Sequence, residues 1–388
     1  MLYIKSHDNN KEMRDMRMAE KMYDMKPIDY AVEGCRTVME KYPATDLPPK
    51  GRFHYHQGVF LSGVLACFNI THNDEYFKYI KTWLDSLTDE NGNIKHREET
   101  ELDDLQPGIL FFPMIEHSFE KKYKIALDHL MKSFETWKTT DEGGLWHKDV
   151  YPNQMWLDGL YMASQMRMMY AKKYNIPKIY DDVAEQALLM YEKTKDTKTG
   201  LVHHAYDSSR KAPWANPITG QSPTFWGRSI GWFIVALLEI LEYLPKTHKD
   251  YTALKDIFVK TSQAVMHYQD DNDGMWYQVI SEPYKTGNWK ETSCSALFAY
   301  AIARGVKKGY LPSKYIESAY KGYSGVTSGI TFDKAGYLEM SNICVGTGVG
   351  DFDYYVGRNT SKNDLHGIGA FILMCCEIEE FERKSEKD

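Results

Sequence analysis

Three carboxylates stand among neighbours that could give them chemical work. In YPNQMWLDGLYMA, residues 151–163, Asp158 is the one charge in a run of aromatic and aliphatic residues. A carboxylate buried without a partner is costly and tends to hold its proton instead. Asn153, directly after Pro152, is the better capping residue. That would place Asp158 in the second helical turn, where capping does not explain it. The structural alternative is a buried acid paired with an Arg or His. The chemical reading is a proton donor whose pKa is raised by an apolar pocket, able to act as an acid near neutral pH. In ELDDLQPG, Asp103 and Asp104 stand just before a helix. One of them can cap it, and the other could stay ionised while Asp158 stays protonated, which would divide their roles.

The other candidates sit in loops beside aromatics. They are His147 in LWHKDVYP, His204 in HHAYD, and Trp226, Arg228 and Trp232 in FWGRSIGW. Arg is a poor first-turn residue on dipole grounds, so Arg228 calls for an anionic partner: a substrate carboxylate, or Asp158 itself. These loop histidines lack metal-ligand spacing, so no metal is expected. The glycines of VGTGVGD are followed by no GK[ST] and lie in no strand–helix unit, so they read as a tight loop, not as a nucleotide site. No organic cofactor is expected either. Six cysteines without CxxC spacing read as small core residues.

Composition narrows the classes. The chain has 388 residues, 43% of them hydrophobic, and a formal charge of −7 with no basic stripe, which speaks against nucleic acid. No apolar run reaches membrane length. The polar N-terminus, MLYIKSHDNNKEMRDM, has no signal core, so the expected location is cytoplasmic, or periplasmic if a leader has been removed. The 28 Tyr and 9 Trp suit either a large helical core or a sugar site, where flat rings meet C–H faces. A monomer or weak homo-oligomer is expected.

These residues must be positioned by helices. After a polar extension over 1–26, about twelve amphipathic or apolar segments follow one another without βαβ alternation. They include Ile28–Tyr42, His54–Ile70, DEYFKYIKTWLDSL capped by Asn73, a segment after Pro107-Gly108, the Asp158 stretch, GRSIGWFIVALLEILEYL, ETSCSALFAYAIARGVKKG and Leu365–Glu382. Helical hairpins with alternating short and long connections predict an all-α, closed (α/α)6 barrel as a single catalytic domain over 27–388. Its longer loops would gather above one face. An open helical solenoid is the alternative, but no shared repeat is visible.

Taken together, YPNQMWLDGLYMA, HAYDSSRKAPWANPITGQSPTFWGRSIGW and GMWYQVISEPYKTGNWKETSCSALFAYAIARGVKKGYL resemble the unsaturated rhamnogalacturonyl hydrolases, family 105 of the glycoside hydrolases. HYHQGVFLSG, ELDDLQPG, LWHKDVYP and NDLHGIGAFIL support the likeness, which runs from about residue 30 to 380. The resemblance implies a six-hairpin barrel and a cofactor-free reaction on pectin-lyase products. An acid protonates C4 of a 4,5-unsaturated uronic acid, water adds at C5, and the opened hemiketal releases the neighbouring sugar. Carried over, Asp158 matches the general acid/base and Asp103 the second acid, chosen over Asp104 by its place after Leu102. His147, Trp156, His204, Trp226, Arg228, Trp232 and Tyr55 match substrate-binding positions. Ala205-Tyr206 and Ser164-Gln165 stand where relatives often have Gly-Trp and Pro-Phe. The alternatives are an unsaturated glucuronyl hydrolase, a conventional two-carboxylate glycosidase, and a non-catalytic sugar-binding protein.

Overall fold

The computed structural model describes residues 25–118 and 120–385. The polar extension expected over 1–26 lies outside the described residues up to residue 24.

Helices follow one another in pairs. They are α1 (Pro27–Lys41), α2 (Tyr55–Thr71), α3 (Asp74–Leu87), α4 (Phe111–His117), α5 (Lys121–Ser133), α6 (Leu157–Tyr174), α7 (Pro177–Thr194), α8 (Gly227–Tyr243), α9 (Tyr251–His267), α10 (Thr292–Lys307), α11 (Ile316–Ser328), the short α12 (Phe352–Val356) and α13 (Leu365–Ser385). Sequence character sorts them into two layers. Helix α3 is buried only at Tyr76, Ile80, Trp83, Leu84 and Leu87, a single stripe, so its other face meets water. Helix α8 is buried continuously from Gly227 to Leu241, so it needs protein on every side. The inner ring runs α2, α4 with its preceding turn, α6, α8, α10 and α13. Helix α13 packs against both α10 and α2, which closes the circle. Helices α1, α3, α5, α7, α9 and α11 wrap it. This is the all-α (α/α)6 barrel expected from the sequence.

The closing seam depends on small residues. A Cβ on Gly369 of α13 would lie 2.6 Å from the Val59 backbone of α2, so only glycine permits this approach.

Two expectations are corrected. The segment after Pro107 begins as a 3-10 turn, Gln106–Leu110, before α4. Pro113 lacks an N–H and its ring crowds the carbonyl four residues back, which disfavours regular α geometry there. In the Asp158 stretch, Asn153 does not cap a helix. It takes a left-handed turn with φ of 63°, and Gln154–Trp156 then pair antiparallel with Ala205–Asp207. Helix α6 therefore begins at Leu157, and Asp158 lies in its first turn.

Candidate active site

The inner helices begin at one end of the barrel, and their first turns surround a cavity of about 280 Å³. Tyr55 and His56 open α2, Asp158 opens α6, and Arg228 opens α8. Asp103 arrives on a 3-10 turn, His147 and Lys148 on the long loop between α5 and α6, and Gly346–Gly348 on the loop before α12. The first turns of three inner helices and the loops beside them gather residues distant in sequence.

Asp158 has a partner. His204 Nε2 lies 3.0 Å from its Oδ2, close but not aligned as a hydrogen bond. On its far side, His204 Nδ1 is 2.6 Å from the Tyr355 hydroxyl. The Gly350 N–H donates to that hydroxyl at 3.3 Å, so the hydroxyl's own proton is free for Nδ1. This leaves the imidazole proton on Nε2, facing Asp158. Burial pushes the Asp158 carboxyl up, but His204, then His147 and Arg228, outweigh it and hold the carboxyl below its usual range. The first-turn position adds the helix dipole in the same direction. The expectation of a pKa raised by apolar walls is thus corrected: the walls are present, but so is a buried imidazole.

Asp103 is held more firmly. Lys148 Nζ is 2.7 Å from its Oδ2, and His147 and His54 lie 3.6 and 3.8 Å away. Burial opposes ionisation, yet these groups keep the carboxyl well below the usual carboxylate range. His147 and His54 are themselves lowered to about 4, chiefly by burial, so near pH 7 the permanent cation on Asp103 is Lys148. Asp104 faces away from the cavity. It accepts the Glu98 N–H at 2.7 Å and meets Arg52 at 3.3 Å, and burial raises it to about 7. Of the adjacent pair, Asp103 lines the cavity.

The walls are aromatic. Trp156 is stacked between His147 at 4.4 Å and Tyr151 at 4.8 Å. Trp226 stacks on Tyr355 at 5.6 Å, with the Arg228 guanidinium 4.4 Å above its ring. Arg228 does not pair with Asp158. Its Nη1 and Nη2 donate to the carbonyls of Cys344 and Val345 at 2.6 and 3.0 Å, and Glu291 lies 3.8 Å away. The guanidinium anchors the glycine loop while still facing the cavity.

A family model described as Glycosyl Hydrolase Family 88 matches residues 30–382. The chain belongs to this glycoside hydrolase family. Within it, the likeness to a family 105 glycoside hydrolase from C. acetobutylicum ATCC 824 places it in family 105. The two are 34% identical, the match covers 90% of this chain and 99% of the other, and the TM-score is 0.86. The unsaturated rhamnogalacturonyl hydrolase YesR of Bacillus subtilis is 25% identical over 276 residues, 68% of this chain and 72% of its own. The unsaturated glucuronyl hydrolase of Bacillus sp. GL1 shares the fold, with a TM-score of 0.68 at 15% identity over 91% of this chain and 96% of its own. The family 105 chain described here is a glycosidase.

The expected site residues divide in two. Asp158, Asp103, His147, Trp156, Trp226, Arg228 and Tyr55 line the cavity of this family 105 enzyme. His204 does not; it is fully buried behind Asp158. Trp232 is also off the cavity. It lies one helical turn beyond Arg228 and stacks on Tyr161 at 4.5 Å in the barrel core.

Sequence reading passed over Lys148, Tyr151, His54, His56 and the 346–348 loop as cavity walls. Lys148 directly follows His147, and a cation beside a candidate acid was the available signal. It also passed over histidine spacing. His54-Tyr55-His56 has the His-x-His pattern, and Asp364-Leu365-His366 repeats it with a carboxylate.

The lowered imidazoles predict an acid-sensitive fold. An unfolded His titrates near 6.5, whereas His54 and His147 take up a proton only near 4. Stability is full above the unfolded value and falls between about 6.5 and 4, with a limiting slope of about 1.4 kcal/mol per pH unit for each group. Comparing denaturation midpoints at pH 7 and pH 5 should show a smaller loss in His147→Asn than in the wild type. An equal loss would mean that His147 is protonated in the folded state.

Among the described residues, no helix is long and apolar enough to cross a membrane.

Proposed function

We propose that this family 105 glycosidase removes a 4,5-unsaturated uronic acid from the non-reducing end of lyase-produced oligosaccharides, with unsaturated galacturonyl-rhamnose as the leading substrate. The observation that carries the reading is the placement of Asp158 among aromatic walls, with basic side chains on either side of the cavity. The names of related enzymes support the substrate class. YesR is an unsaturated rhamnogalacturonyl hydrolase, and a relative from Formosa agariphila, 23% identical over 78% of this chain and 81% of its own, is an unsaturated 3S-rhamnoglycuronyl hydrolase.

In this reading Asp158 protonates C4 of the enol ether. The cation that develops at C5 is stabilised by the ring oxygen and captured by water, whose proton returns to the Asp158 carboxylate. The C5 hemiketal then opens, and the hemiacetal left at C1 expels the neighbouring sugar as an alcohol. Asp158 must therefore hold a proton at the start. Its own neighbours favour the ionised form, but a substrate uronate adds a like charge and displaces water, and both raise a carboxyl pKa. Substrate binding itself would arm the acid. Arg228 and Lys148 are the cations available to the uronate.

A conventional two-carboxylate mechanism fits less well. Asp103 is locked to Lys148 at 2.7 Å, which makes it a weak base and nucleophile.

Incubation with lyase-digested pectin is expected to reduce the ultraviolet absorbance of the conjugated double bond, because hydration at C4 and C5 removes it. Cleavage of saturated oligomers without that loss would overturn the proposal. Parallel assays on unsaturated galacturonyl-rhamnose and unsaturated glucuronyl disaccharides assign the sugar.

A further inference from the structure

Beside the cavity, four titratable residues meet where the barrel closes. His54 and His56 lie at the start of α2, and Asp364 and His366 at the start of α13. One oxygen of Asp364 is 2.9 Å from His366 Nδ1 and 3.6 Å from His56 Nε2. The other nitrogen of His56, Nδ1, is 3.0 Å from His54 Nδ1, which orients the ring and leaves Nε2 turned towards the carboxylate. His366 is fully buried, and neither of its ring nitrogens has an aligned hydrogen-bond partner. A buried polar group left in that state is costly and calls for an explanation.

We propose that His56, Asp364 and His366 form a site for a divalent first-row metal ion of the Zn²⁺ class. The donor set is two imidazoles and one carboxylate, which suits such an ion and leaves coordination positions for water. One donor atom from each residue falls within 4.8 Å of the others. Tetrahedral bonds of about 2.1 Å bring donors to roughly 3.4 Å apart. Binding therefore asks His56 and Asp364, both partly exposed, to turn inward. Metal ligands must be free of protons, a state open to two imidazoles and a carboxylate. His54 is the outer partner that orients a ligating imidazole.

The ion would tie α2 to α13 across the seam where Gly369 already brings their backbones together. It would also place positive charge on the cavity wall, because His56 lines the cavity. A second cluster, His54, Glu101 and Asp103, is a poorer candidate, because Lys148 already occupies Asp103.

The proposal does not rest on the substrate reading, and its test reads metal directly. The full chain, free of any affinity tag and stripped with EDTA, is titrated with ZnCl₂ by calorimetry and with CoCl₂ by visible absorption. One equivalent is expected to bind, raise Tm and produce a cobalt d–d band. Each of His56→Gln, Asp364→Asn and His366→Gln is expected to weaken binding at least tenfold. If His366→Gln does not fold, the other two decide the outcome. No stoichiometric binding overturns the site. So does binding that is unchanged in both His56→Gln and Asp364→Asn, and so does loss of binding only in Glu101→Gln, which would place the ion at the second cluster.

Discussion

Asp158→Asn is expected to lower kcat on unsaturated oligosaccharides by about 10³-fold, within the range that a positioned general acid contributes. The substitution keeps the shape of the side chain and removes only its ability to hand over a proton. Folding should survive. The Asn carbonyl can still face His204 Nε2, which now lies 3.0 Å from Asp158 Oδ2, and no large volume changes. Tm and substrate affinity should therefore stay near wild type while turnover collapses. Because the amide does not ionise, the residual rate should also lose the pH dependence that Asp158 imposes. A variant with near-normal kcat would remove Asp158 from the acid role. A variant that unfolds would show that the carboxylate with its imidazole is a structural pair, the reading weighed against catalysis at the outset.

Glu291→Ala is expected to cost about 3–5 kcal/mol of stability, the typical result of stripping one partner from a buried ion pair. Glu291 is fully buried and caps α10, accepting the Cys294 N–H at 2.5 Å. It also takes the Ser293 hydroxyl at 2.7 Å and the Cys344 N–H at 2.9 Å, and it lies 3.8 Å from Arg228. Alanine would take from Arg228, which is 1% exposed, the carboxylate it is bridged to, and would orphan the Cys344 N–H. The loop carrying Gly346–Gly348 hangs from these same contacts, so kcat/KM should fall as well, although Glu291 does not line the cavity. The measurement is the denaturant midpoint, with the slope checked for cooperativity. A shift worth less than about 1 kcal/mol would mean that water or a rearranged loop replaces the carboxylate, and that the site does not depend on the pair.

Both predictions concern residues whose significance is unequally visible in the chain. Asp158 stood out because a lone charge among Trp156, Leu157 and Tyr161 contradicts its surroundings. Glu291 did not, because an acid opening ETSCSALF looks like an ordinary helix cap, which it also is. Arg228 fell between them: its unfavourable place in a first turn announced a partner, and proximity in the fold chose backbone carbonyls and Glu291 over Asp158.

The sequence by itself determined the helical class, the order of the hairpins and most of the chemical groups. Periodicity is local: a stripe or an all-apolar run declares an outer or an inner helix without reference to the rest of the chain. The motifs carried the family, which the chain-wide match then confirmed. Tertiary structure alone decided the electrostatics. His204 is 46 positions from Asp158 in the chain, and Tyr355 is 151 from His204, yet the residue before the Ala205–Asp207 strand and the short helix α12 are brought together behind the first turn of α6. A pKa depends on distances of a few ångströms, and those are set by the closure of the ring. The same closure brings Asp364 beside His56, separates Trp232 from the cavity by one turn, and turns a pairing of Gln154–Trp156 into a later start for α6. Local propensity favoured a helix from Asn153, but a strand partner some fifty residues away held those residues extended.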